Sequence, residues 1–385
     1  MVKLFTSSFT VLVITMAAAV QAQQSGSTST TVAAATPSSA PGTINPSEYP
    51  APDKIPPINS PEVQAWLKEI DLTGAPSIPL HTGQPPSCPN PPIADECYWT
   101  CDGCAADDIV ACKRPNTWGL TFDDGPSTDT PTLLNYLQTK QLSATFFLIG
   151  SNVIQYPETV KREVAEGHHL ASHTWSHHAL TTLSNEQIVA EMKWTEKAVM
   201  AATGLRLKYM RPPYGDINNR VRFVLKKLGY IPVDWTGDEF DTNDWQMPTM
   251  SESQVIATFT KSLDTYAASN RSSGFYCLEH DLNSMTVGAA QKLIPLGEAR
   301  NITIASVPVC ESDAQPYQSG GTAPMPTTSG TNTSATATGT ATGSASKGSP
   351  TSKPSGAAAA VEGGLKVMMV AAVAASAAVA GLVLA

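Results

Sequence analysis

Basic residues are scarce in this 385-residue chain: 24 Lys and Arg stand against 33 Asp and Glu, giving a formal net charge of -9 and a pI near 5.3. Nucleic-acid binding needs clustered Lys and Arg to neutralise phosphates, so no such partner is expected, and neutral or cationic partners suit the charge better. Large apolar residues are almost missing from 319–354, a tract of Ser, Thr, Gly, Ala and Pro. Such a tract cannot bury enough surface to offset chain entropy, and it reads as a stalk rich in O-glycosylation acceptors. Residues 23–87 are similarly rich in Pro and Ser, relieved by one short helical pattern at Pro61–Ile70, and read mostly as linker.

Long hydrophobic runs are confined to the two ends. Lys3, the apolar run Phe9–Val20 and the small residues around Ala22 predict a signal peptide over residues 1–22, hence secretion. The apolar stretch Val367–Ala385 has no basic residues after it and follows, across a spacer, the small triplet Ser355-Gly356-Ala357. That is the pattern of a glycolipid (GPI) anchor signal, with Ser355 as the lipidation site, 311–355 as stalk and 356–385 as the removed propeptide. The expected place is the outer face of the cell membrane and the cell wall. Asn270, Asn301 and Asn332 head N-glycosylation sequons.

What remains, 88–310, is long enough for one sizeable core. Seven cysteines in a secreted chain predict disulfides with one thiol left over. Cys88, Cys97, Cys101, Cys104 and Cys112 crowd one stretch; a zinc knuckle there competes with disulfides, and the oxidising compartment disfavours it. Pairing Cys112 with Cys310 would staple the ends of the domain, and Cys277, inside an apolar run, reads as the free, buried thiol.

Between Trp118 and Val309, seven β-rich runs (118–122, 144–149, 168–172, 207–210, 231–235, 274–278 and 302–307) alternate with helical patterns. This is the signature of βα units around a parallel sheet, an α/β fold. Asp123, Asp124, His173, Arg211, Asp241 and His280 each fall just after a predicted strand, at the end where such folds assemble their sites.

Five of the seven histidines lie within 168–178, and His173-x-x-x-His177 could bring two imidazoles onto one small cation. Asp123 and Asp124 can add a third ligand and a base. Alone, Asp-Asp-Gly-Pro would read as a turn; the histidines downstream reverse that. His168, His169 and His178 are expected to be structural or solvent-facing.

Thr121-Phe-Asp-Asp-Gly-Pro126, His173-Thr-Trp-Ser-His177, Arg211-Pro-Pro-Tyr-Gly215, Asp241-Thr-Asn-Asp244-Trp245 and Leu278-Glu-His280 follow one another in the order and spacing of a known family. The chain resembles the polysaccharide deacetylases, the NodB-homology group of carbohydrate esterases, and within it the fungal chitin deacetylase branch. The resemblance implies a distorted (β/α) barrel of about seven strands. It implies one divalent metal ion, zinc or cobalt, on Asp124, His173 and His177, there to polarise a poorly electrophilic amide and acidify the attacking water.

By the same resemblance Asp123 is the proton acceptor, Arg211 holds its carboxylate, and His280 is the proton donor. Asp241 orients His280, with Asp238 as the rival for that role. The Tyr214 N–H holds the oxyanion, while Trp245 and Leu278 wall the pocket for the acetyl methyl. Asp281 reads as a structural neighbour of His280. The implied reaction is metal-dependent removal of N-acetyl groups from chitin, giving chitosan and acetate, by a monomer. An acetyl esterase on another wall glycan and a non-catalytic chitin-binding wall protein are the alternatives.

Overall fold

A computed structural model describes residues 44–269 and 271–319; the signal, lipidation and propeptide segments, Asn270 and Asn332 lie outside them. Helices α1 (Pro61–Glu69) and α2 (Trp99–Asp102) precede strands β1 (Thr117–Gly119) and β2 (Thr121–Asp123). There follow α3 (Thr130–Lys140), β3 (Thr145–Leu148), α4 (Gly150–Val153), α5 (Pro157–Ala165), β4 (His169–Ser172), α6 (Asn185–Thr203), β5 (Tyr209–Met210) and α7 (Asn219–Lys227). The described chain ends with β6 (Ile231–Pro232), α8 (Glu252–Ala268), β7 (Phe275–Tyr276), α9 (Ser284–Glu298), β8 (Thr303–Ala305) and α10 (Val307–Glu311).

Side-chain caps set the helix starts. Ser184 and Gln187 form a capping box at the start of α6, and Asn218 caps α7 through the Val221 N–H. Helix α9 begins at Ser284. Asn283 accepts from the N–H groups of Met285 and Thr286, and this cap outweighs the helix-weakening Gly288 behind it.

Every strand pairing is parallel, with β2-β3-β4-β5-β6 in sequence order and β1 between β7 and β8. The expected first strand is one run that changes neighbour at Leu120. Its N–H bonds the Ala305 carbonyl (2.8 Å) and its carbonyl accepts from Thr145 (3.0 Å), so β8 flanks the first half and β3 the second. The ring closes irregularly, through the Thr236 N–H on the Tyr276 carbonyl (3.1 Å) and a bridge between Asp241 and Leu278. The result is a distorted (β/α) barrel. Strands β2, β3 and β4 are buried on both faces, as parallel strands covered by helices require.

Two stretches expected as linker and stalk lie on this barrel. In 44–87 a few large apolar side chains dock on α6 and on the loop after β4: Val63 is wholly buried, Trp66 meets Trp194 edge-on at 5.3 Å, and Tyr49 stacks on Trp175 at 6.0 Å. After Cys310, Tyr317 accepts the Leu170 N–H at 3.1 Å, and its ring lies 5.3 Å from His169. Cys112–Cys310 ties the ends together as expected, and Cys277 is the free, buried thiol. Cys88–Cys101 and Cys97–Cys104 are disulfides, which replaces the zinc-knuckle alternative. Among the described residues no helix is long and apolar enough to cross a membrane.

Candidate active site and metal centre

The carboxyl ends of β2, β4 and β5 and the loop after β7 bring together Asp123, Asp124, His173, His177, Arg211 and His280. Asp124, His173 and His177 each offer one ligand atom, and the three atoms lie within 4.8 Å of one another. Asp124 Oδ1 is 3.4 Å from His173 Nε2 and 3.2 Å from His177 Nε2. His173 Nδ1 lies 2.8 Å from the Arg211 carbonyl. A carbonyl only accepts, so Nδ1 carries the proton and Nε2 presents a lone pair. That lone pair faces a buried carboxylate oxygen which receives no hydrogen bond. Acceptors converging in this way repel one another unless a cation lies among them, and one carboxylate with two imidazoles is a donor set suited to a divalent ion. The residues therefore fit the metal that the sequence implies.

The local backbone is unusual where these groups sit. Asp124 (φ 75°), Thr174 (φ 65°), His177 (φ 57°) and Tyr214 (φ 61°) all occupy the left-handed region without being glycine. Such residues gather at functional sites, held there by surrounding bonds. In the Asp124 loop the Asn152 side chain donates to the Asp124 carbonyl (2.8 Å). Gly125 is required, since a Cβ there would come within 2.2 Å of the Asp281 carboxylate. Asp281 is buried and is pushed up to about 7, chiefly by that burial, against the hydrogen bond from Thr130.

Asp123 and Arg211 form a fully enclosed ion pair. Arg211 Nη1 donates to Asp123 Oδ1 and to Thr121 Oγ1, both at 2.9 Å, while Nε donates to the Val233 carbonyl at 3.0 Å. The guanidinium also lies 4.3 Å from the Phe147 ring centre. Nearby Asp234 does not compete for the charge. Burial, with some repulsion from Asp108, pushes its carboxyl up to about 8, so it is neutral at pH 7.

His280 corrects one expectation. Its Nδ1 lies 2.7 Å from Asp244 Oδ1, and its backbone N–H donates to Asp244 Oδ2 at 2.9 Å. The partner is Asp244, not Asp241, and Asp238 makes no such contact either. Asp241 is committed locally: Oδ1 accepts the Asn243 N–H (2.8 Å) and Oδ2 accepts from Trp245 Nε1 (3.4 Å). Asn243 is left-handed (φ 59°), and the turn it makes leads into the short 3₁₀ helix that buries Asp244. Burial acts to lower the His280 pKa, but the charge and hydrogen bond of Asp244, aided by Asp124 and Asp123, outweigh it and raise the value to about 10. The imidazole is thus held protonated.

The remaining expected residues lie around this cluster. The Tyr214 ring is 4.6 Å from His177 and 37% exposed; Trp245 is 51% exposed; Leu278 is buried and its carbonyl accepts from Thr242 Oγ1 (2.8 Å). His168 and His169 are buried at the other end of β4, and His178 Nδ1 bonds the Ser176 hydroxyl (2.9 Å). Asn301 is exposed at a turn, its carbonyl accepting from Asn116 (2.9 Å). Three contributors were not legible as site residues in the sequence: Asp244 as the histidine's partner, Glu191 beneath the histidine loop, and Gln84, whose amide donates to the His177 carbonyl (3.2 Å). A signal existed only for Asp244, as the second acid of its motif.

This combination of a parallel α/β barrel, an Asp-His-His cluster and two charge-paired groups beside it defines a carbohydrate-esterase type of hydrolytic site. The sequence profile described as polysaccharide deacetylase matches residues 111–233. A chitin deacetylase of Amylomyces rouxii is 35% identical over 296 residues, covering 71% of this chain and 69% of that protein. Chitin deacetylase 1 of Cryptococcus neoformans var. grubii is 44% identical over 254 residues, covering 63% of this chain and 54% of that protein. The chain therefore spans about half the length of that relative. The solved structure of the chitin deacetylase from Colletotrichum lindemuthianum is 32% identical, covers 55% of this chain and 95% of its own, and superimposes with a TM-score of 0.51. The chain belongs to the polysaccharide deacetylase family.

Proposed function

We propose that the protein is a metal-dependent chitin deacetylase, hydrolysing the N-acetyl groups of N-acetylglucosamine units to give acetate and chitosan. The single observation that carries this reading is the convergence of Asp124, His173 and His177 beside an enclosed Asp123–Arg211 pair and a protonated His280–Asp244 pair. Named relatives that are chitin deacetylases support the substrate.

Asp124, His173 and His177 would hold one divalent metal ion, zinc or cobalt, which would supply Lewis acidity for the hydrolysis. Asp123, oriented by the Arg211 guanidinium, takes a proton from the water as its oxygen bonds to the carbonyl carbon. The Tyr214 N–H stabilises the oxyanion. His280 gives its proton to the nitrogen as the C–N bond breaks, so an amine rather than an amide anion departs. Trp245 and Leu278 wall the space for the acetyl methyl. A signal peptide and a glycolipid anchor at Ser355 would place a monomer at the cell membrane and wall, where chitin emerges.

Acetate release from chitin oligomers by the purified chain, with chelator, metal add-back and Asp123→Asn in parallel, tests the reading. Activity should vanish with chelator, return with zinc or cobalt, and be absent in the variant. No acetate from any acetylated glycan with metal restored would sink it.

A further inference from the structure

Between the two histidine ligands the chain runs through Thr174, Trp175 and Ser176 in neither helix nor strand. Such a loop has no ladder to occupy its N–H groups, and buried N–H groups need acceptors. All four from Thr174 to His177 are taken by side chains. Thr174 donates to Ser172 Oγ at 3.3 Å and His177 to Thr174 Oγ1 at 3.1 Å. Trp175 and Ser176 both donate to Glu191 Oε2, at 2.8 and 2.9 Å, and the Ser176 hydroxyl donates to Oε1 at 2.6 Å.

Glu191 differs from the other acceptors because it comes from a separate element, α6, where it is wholly buried. It ties the middle of a loop with two left-handed residues to a rigid helix of 19 residues. On the other side the Thr174 and Trp175 carbonyls accept from Gly150 (2.8 Å) and Ser151 (3.1 Å) at the start of α4. The peptides between the ligands are thereby fixed from both sides, and Glu191 is the side chain that holds two of their N–H groups at once.

We propose that Glu191 is a positioning residue for the metal centre, setting the separation of the His173 and His177 imidazoles through the two peptide N–H groups between them. The inference rests on the metal-site reading above. The bland alternative, that Glu191 only joins helix to loop, predicts lost stability without lost metal affinity. Outer-shell partners of metal ligands commonly govern affinity by about 10- to 100-fold.

The test is a zinc titration of the metal-free protein against a chromophoric chelator, with thermal melting of the metal-free form alongside. Glu191→Ala should bind zinc about 10- to 100-fold more weakly than the unsubstituted chain. Glu191→Gln should stay within about threefold, since its carbonyl oxygen can accept the same two N–H groups. Glu191→Ala with unchanged zinc affinity overturns the proposal, whatever happens to its melting temperature. Should that variant fail to fold, Glu191→Asp decides, being one methylene too short: tenfold weaker binding supports the proposal and native affinity overturns it. An unsubstituted chain that takes up no zinc overturns the metal reading itself and this inference with it.

Discussion

The two ends of β4 carry the same residue type in opposite circumstances. At the amino end, His168 Nδ1 accepts the Ala144 N–H (3.1 Å) and His169 Nδ1 meets Thr145 Oγ1 (3.1 Å). Their rings lie edge-on to Phe146 (5.2 Å) and Tyr209 (5.4 Å). At the carboxyl end, His173 and His177 turn Nε2 toward one carboxylate oxygen. Burial lowers the pKa of His168 to about 4 and of His169 to about 3, and it also leads in lowering that of His177 to about 4, against the pull of Asp124. Neutrality is common to His168, His169 and His177. What separates a ligand from a packing residue is what the free nitrogen faces, and in a parallel barrel only the loops after the strands bring groups from several strands to one point.

The largest effects should come from breaking the carboxyl end. His173→Ala or His177→Ala should cost at least about 1,000-fold in kcat/KM, since the remaining pair of ligands cannot hold an ion in reacting geometry. Acetate release, with metal content of the same sample, measures this. His169→Gln should leave kcat/KM within about twofold, as expected of a group that touches no reacting atom. Equal losses at the two ends would abolish the distinction.

A smaller but sharper effect separates Asp244 from Asp241. Asp244→Asn should lower kcat/KM by about 100-fold or more, because His280 loses the charge that keeps it an acid, whereas Asp241→Asn should cost less than about tenfold. The pH profile carries the sign. His280 has its pKa raised to about 10, so activity that depends on its proton is full below that value and falls as pH rises through it. A divalent cation nearby repels the imidazolium, so the alkaline limb of the loaded protein lies at or below pH 10. In Asp244→Asn the limb should move down by at least a unit, and in Asp241→Asn it should hardly move. A limb that moves equally in both would restore Asp241 to the role the sequence suggested.

That correction shows how far the sequence could be read. The cluster of Asp123, Asp124, His173, His177, Arg211 and His280 was legible because most of these residues follow a predicted strand and each sits in a motif whose residues are local to one another. Asp241 and Asp244 belong to the same motif, so proximity in sequence could not choose between them. The choice lies in one left-handed residue, Asn243, which turns Asp244 inward while Asp241 satisfies the turn itself. The barrel was legible from its alternation, but the split of the first strand at Leu120 depends on where β8 stops and β3 starts, which is tertiary. Composition concealed the arm at 44–87, whose docking rests on a few large side chains such as Tyr49, Val63 and Trp66 among many prolines and serines. Glu191 was hidden because a glutamate in a helix is ordinarily a surface residue, and nothing in the surrounding pattern marks its position as enclosed.

The smallest effect belongs to the amino end and concerns stability in acid. A histidine whose folded pKa is depressed is neutral in both states above its unfolded value near 6.5, where it makes no difference to stability. As pH falls below 6.5 the unfolded chain takes up a proton that the folded chain refuses, so stability is lost progressively until the folded value, about 4 for His168 and about 3 for His169, is reached. Stability measured by denaturant should therefore fall between pH 6.5 and 4 with a share due to these two side chains. His168→Gln and His169→Gln should each flatten that slope. At pH 7.5 each should cost only about 1–3 kcal/mol, for the N–H of Ala144 or the hydroxyl of Thr145 left to find a new partner. The comparison is made in metal-free protein, where His177 contributes to the same slope; a His177→Gln control removes that share. If neither amino-end variant changes the slope, burial is not what keeps these imidazoles neutral, and the contrast between the two ends of β4 narrows to metal geometry alone.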